Sequence, residues 1–399
     1  MLVSGNRSPP APGEMRGGEM MKVGVITILH VGNYGAELQA YATVRALRKL
    51  GIDAEILNYL FYKNPRYRRT RRSAPLYVMS PAKRLKEHLY PILENFRYLR
   101  RGTTYRKTLE LFDAFHRRHT PSSREYRTID ELYSERFDYD AYVVGSDQVW
   151  NPGLYSSLLP YLLDFVPAEK KRISYASSFG VTEVPAELRP VYADAFQKMD
   201  AVSVRERQAM KLVRELSGRE AQCVLDPTLL LERKDWEQVM SVREVPERYI
   251  FVYTISPDES VTRAAEQLGA EYGIPVLRIS IGAVAPGKSV KIEDLALVDP
   301  GEFLYLISHA ELVLTNSFHG TALSIGFGRN FRSFVTPGKK NHSRQHDLLN
   351  GLGLEKLLVS QWRSDDSAFD GYDGRSAALR LAEQREKSLS YLCESLLHE

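Results

Sequence analysis

A polar corner near residue 319 has the residue types of a catalytic site. Leu312–Thr315 is an apolar, strand-like run, and a helical pattern begins at Thr321. His319 lies between the two and can exchange a proton near neutral pH. The unpaired amides at the start of a helix favour an anion. The sequence therefore predicts an acid beside an anion site, which suits chemistry on a phosphorylated or carboxylated small molecule.

Two arginines could hold such an anion. Arg205 directly follows the short apolar run 202–204, so its side chain could reach over the end of a strand. Its planar guanidinium matches a phosphate or a carboxylate, although an ordinary surface pair with Glu206 is the alternative. Arg344 lies where a turn leads into a predicted helix and could supply a second cationic contact.

Polar groups beside an indole ring follow the predicted strand 139–144. Asp147 and Gln148 can hold the hydroxyl groups of a sugar, and Trp150 can pack against its apolar face. The alternative is a turn stabilised by the Asp side chain, with the indole in the core. Residues 145–151 therefore predict either a sugar platform or a structural turn.

A glycine-bounded turn follows the first predicted strand and consists of Gly32, Asn33, Tyr34 and Gly35. It lacks the G-x-G-x-x-G spacing of a dinucleotide site. Glycines have no Cβ and would let the backbone approach an anion or a sugar. A purely structural turn is the alternative.

Alternating strands and helices must position these residues. The apolar patterns predict strands at 22–29, 54–59, 139–144, 171–176, 201–204, 249–255, 275–280, 312–315 and 331–335, and helices at 36–50, 82–100, 106–116, 185–198, 206–216, 259–272, 302–310, 321–327, 343–351 and 376–397. Asp299 is the expected N-cap of the helix near residue 302, with Pro300 at its first position. Strand–turn–helix–strand units predict parallel sheets with right-handed crossovers, and therefore an α/β fold.

Two Rossmann-like domains facing a ligand cleft are the predicted architecture. We expect a disordered leader at 1–20, an N-terminal domain at 21–235 with a basic insertion at 61–107, a C-terminal domain at 236–365, and a C-terminal helix at 366–399 that packs across both domains. Met21 is the expected structural start. The sequence leaves open whether translation starts at Met1 or at Met21.

The composition argues against several classes of protein. The chain has 399 residues, of which 43% are hydrophobic, and this is enough for two ordinary domains. Cys223 and Cys393 are the only cysteines and lie far apart, which disfavours a disulfide framework or a thiolate zinc site and fits a reducing compartment. No apolar run approaches the roughly 20 residues of a membrane-spanning helix. We therefore expect a cytoplasmic protein without a metal.

The segment 61–107 is strongly basic. It holds fourteen Lys and Arg against two Glu, a net charge of +12 in a chain whose total is +4. A solvated insertion and a patch for an anionic membrane surface or an acidic polymer are both consistent with this charge. The interleaved Tyr62, Tyr67 and Tyr77 could stack on bases. No recognised nucleic-acid module surrounds them, so nucleic acid is the weakest of these interpretations.

Seven segments, in this order along the chain, resemble the polysaccharide pyruvyl transferase family. They are VGNYGAELQAY at 31–41, VGSDQVWN at 144–151, SYASSFG at 174–180, VSVRE at 202–206, VLDPT at 224–228, TNSFHG at 315–320 and NHSR at 341–344. Together they span about residues 21–355. They are specific for the family rather than for one substrate.

The resemblance implies a fold, a reaction and roles for several residues. The fold is similar to that of the two-domain GT-B glycosyltransferases, and the reaction transfers pyruvate from phosphoenolpyruvate to two hydroxyls of one sugar, giving a cyclic ketal. In members proposed to work this way, an arginine matching Arg205 binds the donor anion and a histidine matching His319 acts as the acid. Some members have an arginine two residues before that histidine. This chain has Ser317 there, and Arg344 is the expected substitute.

These expectations define the predicted site. The catalytic residues are His319, as the acid, and Asp147, which orients or deprotonates a sugar hydroxyl. Donor contacts are predicted for Arg205, Arg344, Ser343, Asn316, Ser317 and Gly320, and acceptor contacts for Asn33, Tyr34, Gly35, Gln148 and Trp150. Phosphoenolpyruvate is a co-substrate, and we expect neither a cofactor nor a metal.

Two other functions stay open at the level of the sequence. A GT-B glycosyltransferase would use the same cleft for the diphosphate of a nucleotide sugar. A catalytically silent sugar-binding protein of an envelope assembly complex would bind its ligand without forming a product. For a pyruvyltransferase, the expected acceptor is a sugar of an exopolysaccharide or capsule, or of its lipid-linked precursor, with possible contact of 61–107 with the inner face of the membrane.

Overall fold

The computed structural model describes residues 20–62, 64–70, 102–280, 292–335, 343–363, 368 and 373–397. Most of the predicted leader, the predicted helix 82–100, most of the basic segment 61–107 and residues 341–342 lie outside these ranges. Within them the chain forms two main parallel β-sheets covered by helices.

The N-terminal sheet is built from parallel strands whose faces are both covered. Its strands are β1 (Lys22–Ile26), β2 (Asp53–Ile56), β3 (Ala141–Val144) and β4 (Lys171–Ser174), in the order β2-β1-β3-β4. Nearly every residue of β1 and β3 is buried, which is why these strands are continuous apolar runs in the sequence. A parallel pair, β5 (Ser203–Val204) and β6 (Gln222–Cys223), continues the sheet beyond β4 through single bridges.

Helices cover this sheet on both sides. The described helices of the N-terminal half are α1 (Tyr34–Lys49), α2 (Gly102–His119), α3 (Ile129–Ser134), α4 (Arg189–Gln197) and α5 (Arg207–Ser217), with short 3-10 turns at Pro152–Ser157, Leu159–Leu162, Ala186–Leu188 and Pro227–Leu229. The side chain of Asn33 accepts a hydrogen bond from the amide of Ala36 at 3.2 Å. The predicted glycine-bounded turn is therefore the capped N-terminus of α1.

The C-terminal sheet has six parallel strands. They are β7 (Ile250–Thr254), β8 (Val276–Ser280), β9 (Ile292–Asp294), β10 (Leu312–Thr315), β11 (Asn330–Phe334) and β12 (Leu358–Val359), in the order β12-β11-β10-β7-β8-β9. The helices of this half are α6 (Arg233–Glu237), α7 (Glu259–Tyr272), α8 (Pro300–His309), α9 (Phe318–Gly326) and α10 (Ser343–Leu352), followed by a 3-10 turn at Glu355–Leu357 and by α11 (Gly374–Leu397). Asp299 caps α8 as predicted, in a reciprocal pair with Glu302.

The strands β9 and β12 are absent from the prediction, and both lie at the edges of the sheet. β9 has the sequence Ile-Glu-Asp with both acidic residues exposed, and β12 has only two half-buried residues. Neither segment offers the apolar run or the alternation that identifies a strand in a sequence. Pairing with a neighbouring strand, rather than local sequence, places them in the sheet.

One hydrophobic core runs through both halves of the molecule. Tyr34, at the start of α1, stacks on Phe303 of α8 with ring centroids 4.1 Å apart. Its hydroxyl donates to the carbonyl of Val298 at 2.9 Å. The two sheets therefore face each other across a cleft whose walls are in direct contact at this aromatic pair.

The C-terminal helix α11 contacts both halves, as its long helical pattern predicted. The hydroxyl of Tyr391 donates to the carbonyl of Ser174 in β4, and the side-chain amide of Gln384 donates to the carbonyl of Gly351 in α10, both at 2.9 Å.

The fold is α/β, with two Rossmann-like domains facing a cleft in a GT-B-like architecture. Among the described helices, none combines the length and apolar character needed to cross a membrane.

Candidate active site

The predicted site residues lie at the points where the strand order of each sheet reverses. In the N-terminal sheet, β1 has β2 on one side and β3 on the other, and in the C-terminal sheet β7 lies between β8 and β10. The loops at such a point diverge and leave a crevice at the carboxyl ends of the strands. Asp147 follows β3 and His319 follows β10. Both sheets therefore contribute their crevice to one site.

His319 lies in the first turn of α9 rather than on the corner before the helix. The prediction placed the start of this helix at Thr321, but the helix begins at Phe318. Ser317 is its N-cap, because its hydroxyl accepts a hydrogen bond from the amide of Gly320 at 3.3 Å. The predicted start was wrong because this serine cap was not recognised.

Arg205 is the centre of the site and is almost completely buried. Its guanidinium donates to Asp226 at 2.7 Å and to Asp147 at 3.2 Å. It also stacks over the ring of Phe318 with the central carbon 4.4 Å from the ring centroid. Because Glu206 instead accepts a hydrogen bond from Ser178 at 2.8 Å, the alternative of a surface pair between Arg205 and Glu206 is wrong.

Asp226 is a site residue that sequence reasoning missed. It accepts hydrogen bonds from the amide and hydroxyl of Thr228, at 3.0 and 2.7 Å, and from the hydroxyl of Ser146 at 3.1 Å. Burial opposes its ionisation, but the charges of His319 and Arg205 keep the pKa of Asp226 well below its usual range. The signal was present, since Asp226 lies within the family-like segment VLDPT.

The imidazole of His319 is held between the two halves of the molecule. Its Nε2 lies 3.4 Å from Nη1 of Arg205 and 3.5 Å from Oδ2 of Asp226. Its Nδ1 faces Gly35 at the start of α1, where an added Cβ would lie only 2.0 Å away. The sequence predicted that Gly35 lets the backbone approach an anion or a sugar. In the structure, the group that lies this close to Gly35 is the imidazole of His319.

With His319 in the predicted role of the acid, we expect Gly35→Ala to lower the enzymatic turnover by about 10–100-fold, because a small displacement of a catalytic group has an effect of this size. Alanine favours a helix more than glycine does, so a loss would come from the displaced imidazole. Gly326→Ala is the matched control, since its added Cβ would meet only Leu229 at 3.8 Å. Steady-state kinetics of both variants test this, and equal activities would contradict it.

Asp147 is the most exposed of the acidic groups that contact Arg205. Its backbone has a φ of +67°, a left-handed conformation that an aspartate tolerates better than most residues. Burial opposes its ionisation, but the charges of Arg205, His319 and Arg344 leave the pKa of Asp147 below its usual range. Such a carboxylate is a weak base and a good acceptor of hydrogen bonds from hydroxyls.

Arg344 joins the site from the start of α10, next to Ser343, the first residue of that helix. Its guanidinium lies 5.8 Å from the ring centroid of Phe318, so it shares this ring with Arg205. With the amide oxygen of Gln148 turned towards it, Arg344 donates two hydrogen bonds of 3.0 and 3.2 Å. Burial and the charge of Arg205 lower the pKa of Arg344. Two guanidinium groups that repel each other make a favourable place for an anion.

Two residues predicted to touch the acceptor lie in the core instead. The ring of Trp150 is fully buried and its Nε1 donates to the carbonyl of Tyr161 at 3.1 Å. Tyr34 is only 5% exposed and joins the two halves. Neither ring has a free face for stacking on a sugar, so their predicted acceptor contacts are not supported. The structural alternatives, a core indole and a structural turn, describe Trp150 and Tyr34 better.

The smaller polar residues of the predicted donor site hold the backbone in place. The amide group of Asn316 accepts from the amide of Ile255 and donates to the carbonyl of Ser256, both at 2.9 Å. An added Cβ at Gly320 would lie 2.4 Å from the hydroxyl of Thr315. These contacts fix the loop between β10 and α9, and so they fix the position of His319.

We expect Glu206→Gln to stabilise the protein increasingly as the pH rises. Burial raises the pKa of Glu206 despite the charges of Arg205 and Arg344, so the folded state binds this proton more tightly than the unfolded state. The wild type therefore loses stability as the pH rises from the pKa of Glu206 in the unfolded state, about 4.3, through its pKa in the folded state. Denaturant unfolding between pH 4 and 8 measures this. The exposed Glu215→Gln is the control, and equal pH dependence in both variants would contradict the expectation.

No group of three or more His, Cys, Asp or Glu side chains in the described ranges is arranged to hold a metal ion. The charged groups of the site instead include a network of one arginine, two aspartates and one histidine, which joins loops of both sheets, and Arg344 lies beside it across the ring of Phe318. Such a network can bind an anion and move a proton at the same place.

Several solved structures are similar to this chain at low sequence identity. Among solved structures, UDP-GlcNAc 2-epimerase from Neisseria meningitidis bound to UDP-GlcNAc is 10% identical (95% of this chain and 100% of that chain covered, TM-score 0.45). HepE from Anabaena, in complex with UDP and glucose, is also 10% identical (95% and 100% covered, TM-score 0.47). An O-GlcNAc transferase mutant from Thermobaculum terrenum is 13% identical (98% and 67% covered, TM-score 0.38). These likenesses concern the fold alone.

The family of the chain follows from a separate comparison. No curated protein matches the chain significantly. The family model described as "Polysaccharide pyruvyl transferase" matches residues 33–336, which is most of the chain and includes His319, Arg205 and Asp226. The chain therefore belongs to the polysaccharide pyruvyl transferase family.

Proposed function

We propose that this protein transfers pyruvate from phosphoenolpyruvate to two hydroxyls of one sugar in a polysaccharide or its lipid-linked precursor, forming a cyclic ketal. The observation that carries the proposal is the meeting of Arg205 and Arg344 beside His319, at the start of a helix. This arrangement offers cationic donors for an anionic donor substrate and a proton donor next to them.

Phosphoenolpyruvate fits the cationic side of this site by its chemistry. It carries a phosphate and a carboxylate, and the two guanidinium groups can each hold one of them. The Nε of Arg205 is buried and has no hydrogen-bond partner within the described part of the chain, so it can donate to an oxygen of the ligand. The amides at the start of α9 add further donors near Ser317 and Asn316, and Ser343 adjoins Arg344 at the start of α10.

The proposed reaction begins with proton transfer from His319 to the methylene carbon of phosphoenolpyruvate. The neighbouring carbon becomes oxocarbenium-like, and the first sugar hydroxyl attacks it and releases its own proton. Phosphate then leaves with the electron pair of its carbon–oxygen bond, and the second hydroxyl attacks the same carbon to close the ring. One hydroxyl hydrogen balances the proton placed on carbon, and the other balances the proton taken up by phosphate.

The two aspartates have different parts in this proposal. Asp147 faces the open side of the site and accepts a hydrogen bond from the attacking hydroxyl, and its lowered pKa makes it an orienting group rather than a strong base. Asp226 is fully buried and orients Arg205 and the Nε2 of His319. After giving its proton to carbon, His319 can accept the proton of the hydroxyl.

Incubation of the purified protein with phosphoenolpyruvate and a panel of aryl and lipid-linked hexosides tests this function. The expected result is phosphate release together with a sugar whose mass increases by that of pyruvate less water. Turnover of a nucleotide sugar without phosphoenolpyruvate would favour a glycosyltransferase instead. Sugar binding without any product would favour the silent binding protein.

We also propose that the protein works at the cytoplasmic face of a membrane, where the lipid-linked precursor would be met. The support is the net charge of +12 in the segment 61–107, which attracts anionic lipid headgroups. Co-sedimentation with anionic and neutral vesicles tests this. We expect binding to anionic vesicles alone and weaker binding at high salt, and equal binding to both would contradict the proposal.

A further inference from the structure

A cavity lies at the carboxyl edge of the N-terminal sheet, separate from the charged network of the candidate active site. It has a volume of about 150 Å³ and is bounded by the loop after β1, the loop after β2 and helix α2. Leu109 and Phe112 form an apolar side, and Arg106, Glu110 and Asp113 form a polar side. This space equals about five waters at roughly 30 Å³ each, the size class of a small polar molecule such as one sugar ring.

A network of polar side chains forms the wall of this cavity. His30 contacts Asp113 through Nδ1 at 2.9 Å and Asn58 through Nε2 at 2.8 Å. The second oxygen of Asp113 accepts from Arg66 at 3.3 Å, and the amide of Asn64 donates to the carbonyl of His30 at 3.1 Å. The reaction proposed above uses none of these groups.

The backbone around His30 is also unusual. His30 has a φ of +55°, a left-handed conformation that is uncommon for a residue with a side chain. Strain of this kind persists where the surrounding contacts fix it, and it clusters at ligand sites. His30 follows β1 and Asn58 follows β2. Both therefore lie at the edge of the sheet where α/β proteins bind ligands.

The loop between His30 and α1 connects this cavity to the candidate active site. Gly32 lines the cavity, and Gly35 touches the imidazole of His319. The two glycines are three residues apart and therefore at most about 11 Å apart. A glycan of a few sugar units could thus occupy the cavity and still place a hydroxyl pair near His319.

We propose that this cavity is a subsite for a sugar unit of the acceptor glycan. The inference rests on the proposed function, which needs an acceptor surface that the buried Trp150 and Tyr34 do not provide. Carboxylates accept hydrogen bonds from sugar hydroxyls and arginines donate to them, while Leu109 offers an apolar contact to the sugar ring. The Asp113 side chain is 25% exposed and is held rigidly by His30 and Arg66, so it can orient a hydroxyl without losing freedom on binding.

Three variants of α2 test the subsite. Leu109→Trp fills the cavity, Arg106→Ala removes a donor from its wall, and Lys107→Ala removes an exposed cation that does not line it. With a short oligosaccharide acceptor that forms the ketal, we expect the first two to raise the acceptor KM by about 10–100-fold. The Kd for phosphoenolpyruvate, from calorimetry, should stay within about twofold, and Lys107→Ala should match the wild type in both.

A binding measurement separates failure of the subsite from failure of the proposed reaction. Saturation-transfer NMR with the same oligosaccharide needs no turnover. Binding to the wild type that is lost in Leu109→Trp supports the subsite even if no ketal forms, and the absence of turnover then counts only against the proposed function. Binding that is absent in the wild type or unchanged in Leu109→Trp overturns the subsite, as does an unchanged acceptor KM in a protein that forms ketal.

Discussion

His319→Gln is expected to lose about 10²–10⁴-fold of its ketal-forming turnover while it still binds phosphoenolpyruvate. Glutamine is similar in length to histidine and keeps a polar group near Arg205 and Asp226, but it cannot deliver a proton to carbon. In the proposed function the donor contacts come from Arg205 and Arg344, which lie against the ring of Phe318 and which the substitution does not change. The loss should therefore appear in kcat and leave the Kd of the donor within a few-fold.

The measurement is the rate of phosphate release with a saturating acceptor, together with calorimetric titration of phosphoenolpyruvate. His346→Gln is a matched control, because His346 is an exposed histidine of α10. It should retain wild-type rates. Turnover of His319→Gln within about threefold of the wild type would contradict its role as the acid and would leave the site without an identified proton donor.

The central part of each half could be predicted because its signals are local in the sequence. β10 is a four-residue apolar run and α8 begins with an Asp-Pro pair, and both follow from short patterns. The strand ends that carry Asp147 and His319 were located in the same way. In a parallel α/β fold, ligands bind in the crevice at the carboxyl ends of the strands, so a polar residue at a strand end is a candidate for the site.

The contacts between these residues could not be predicted, because they depend on the packing of distant segments. Asp226 contacts His319, and Gly35 closes against the imidazole from the opposite half of the molecule. No periodicity or spacing encodes such contacts. The same reason explains the error at Trp150, since an indole at a strand end can face the crevice or the core, and only the packing of α4 and the neighbouring turns decides between the two.

Asp226→Asn is expected to destabilise the fold by about 3–5 kcal/mol at neutral pH, because Arg205 keeps its charge in a buried place where an ionised partner is lost. The amide can still accept from Thr228 or Ser146, but its NH2 group would then point at the guanidinium. The folded pKa of Asp226 lies below its unfolded value. The carboxylate therefore contributes stability above about pH 4. This contribution is lost as the pH falls through the pKa of Asp226 in the folded state.

Denaturant unfolding of Asp226→Asn and of the wild type, from pH 7 down to pH 3, measures this difference. It should be largest at neutral pH and should shrink in acid. Asp138→Asn is the control, since Asp138 forms an exposed pair with Lys22, and it should change stability far less. A variant as stable as the wild type at pH 7 would mean that Arg205 tolerates the loss of its closest carboxylate. Asp147 would then be the one carboxylate that positions Arg205 for the proposed donor substrate. Asp226 would matter for activity rather than for folding.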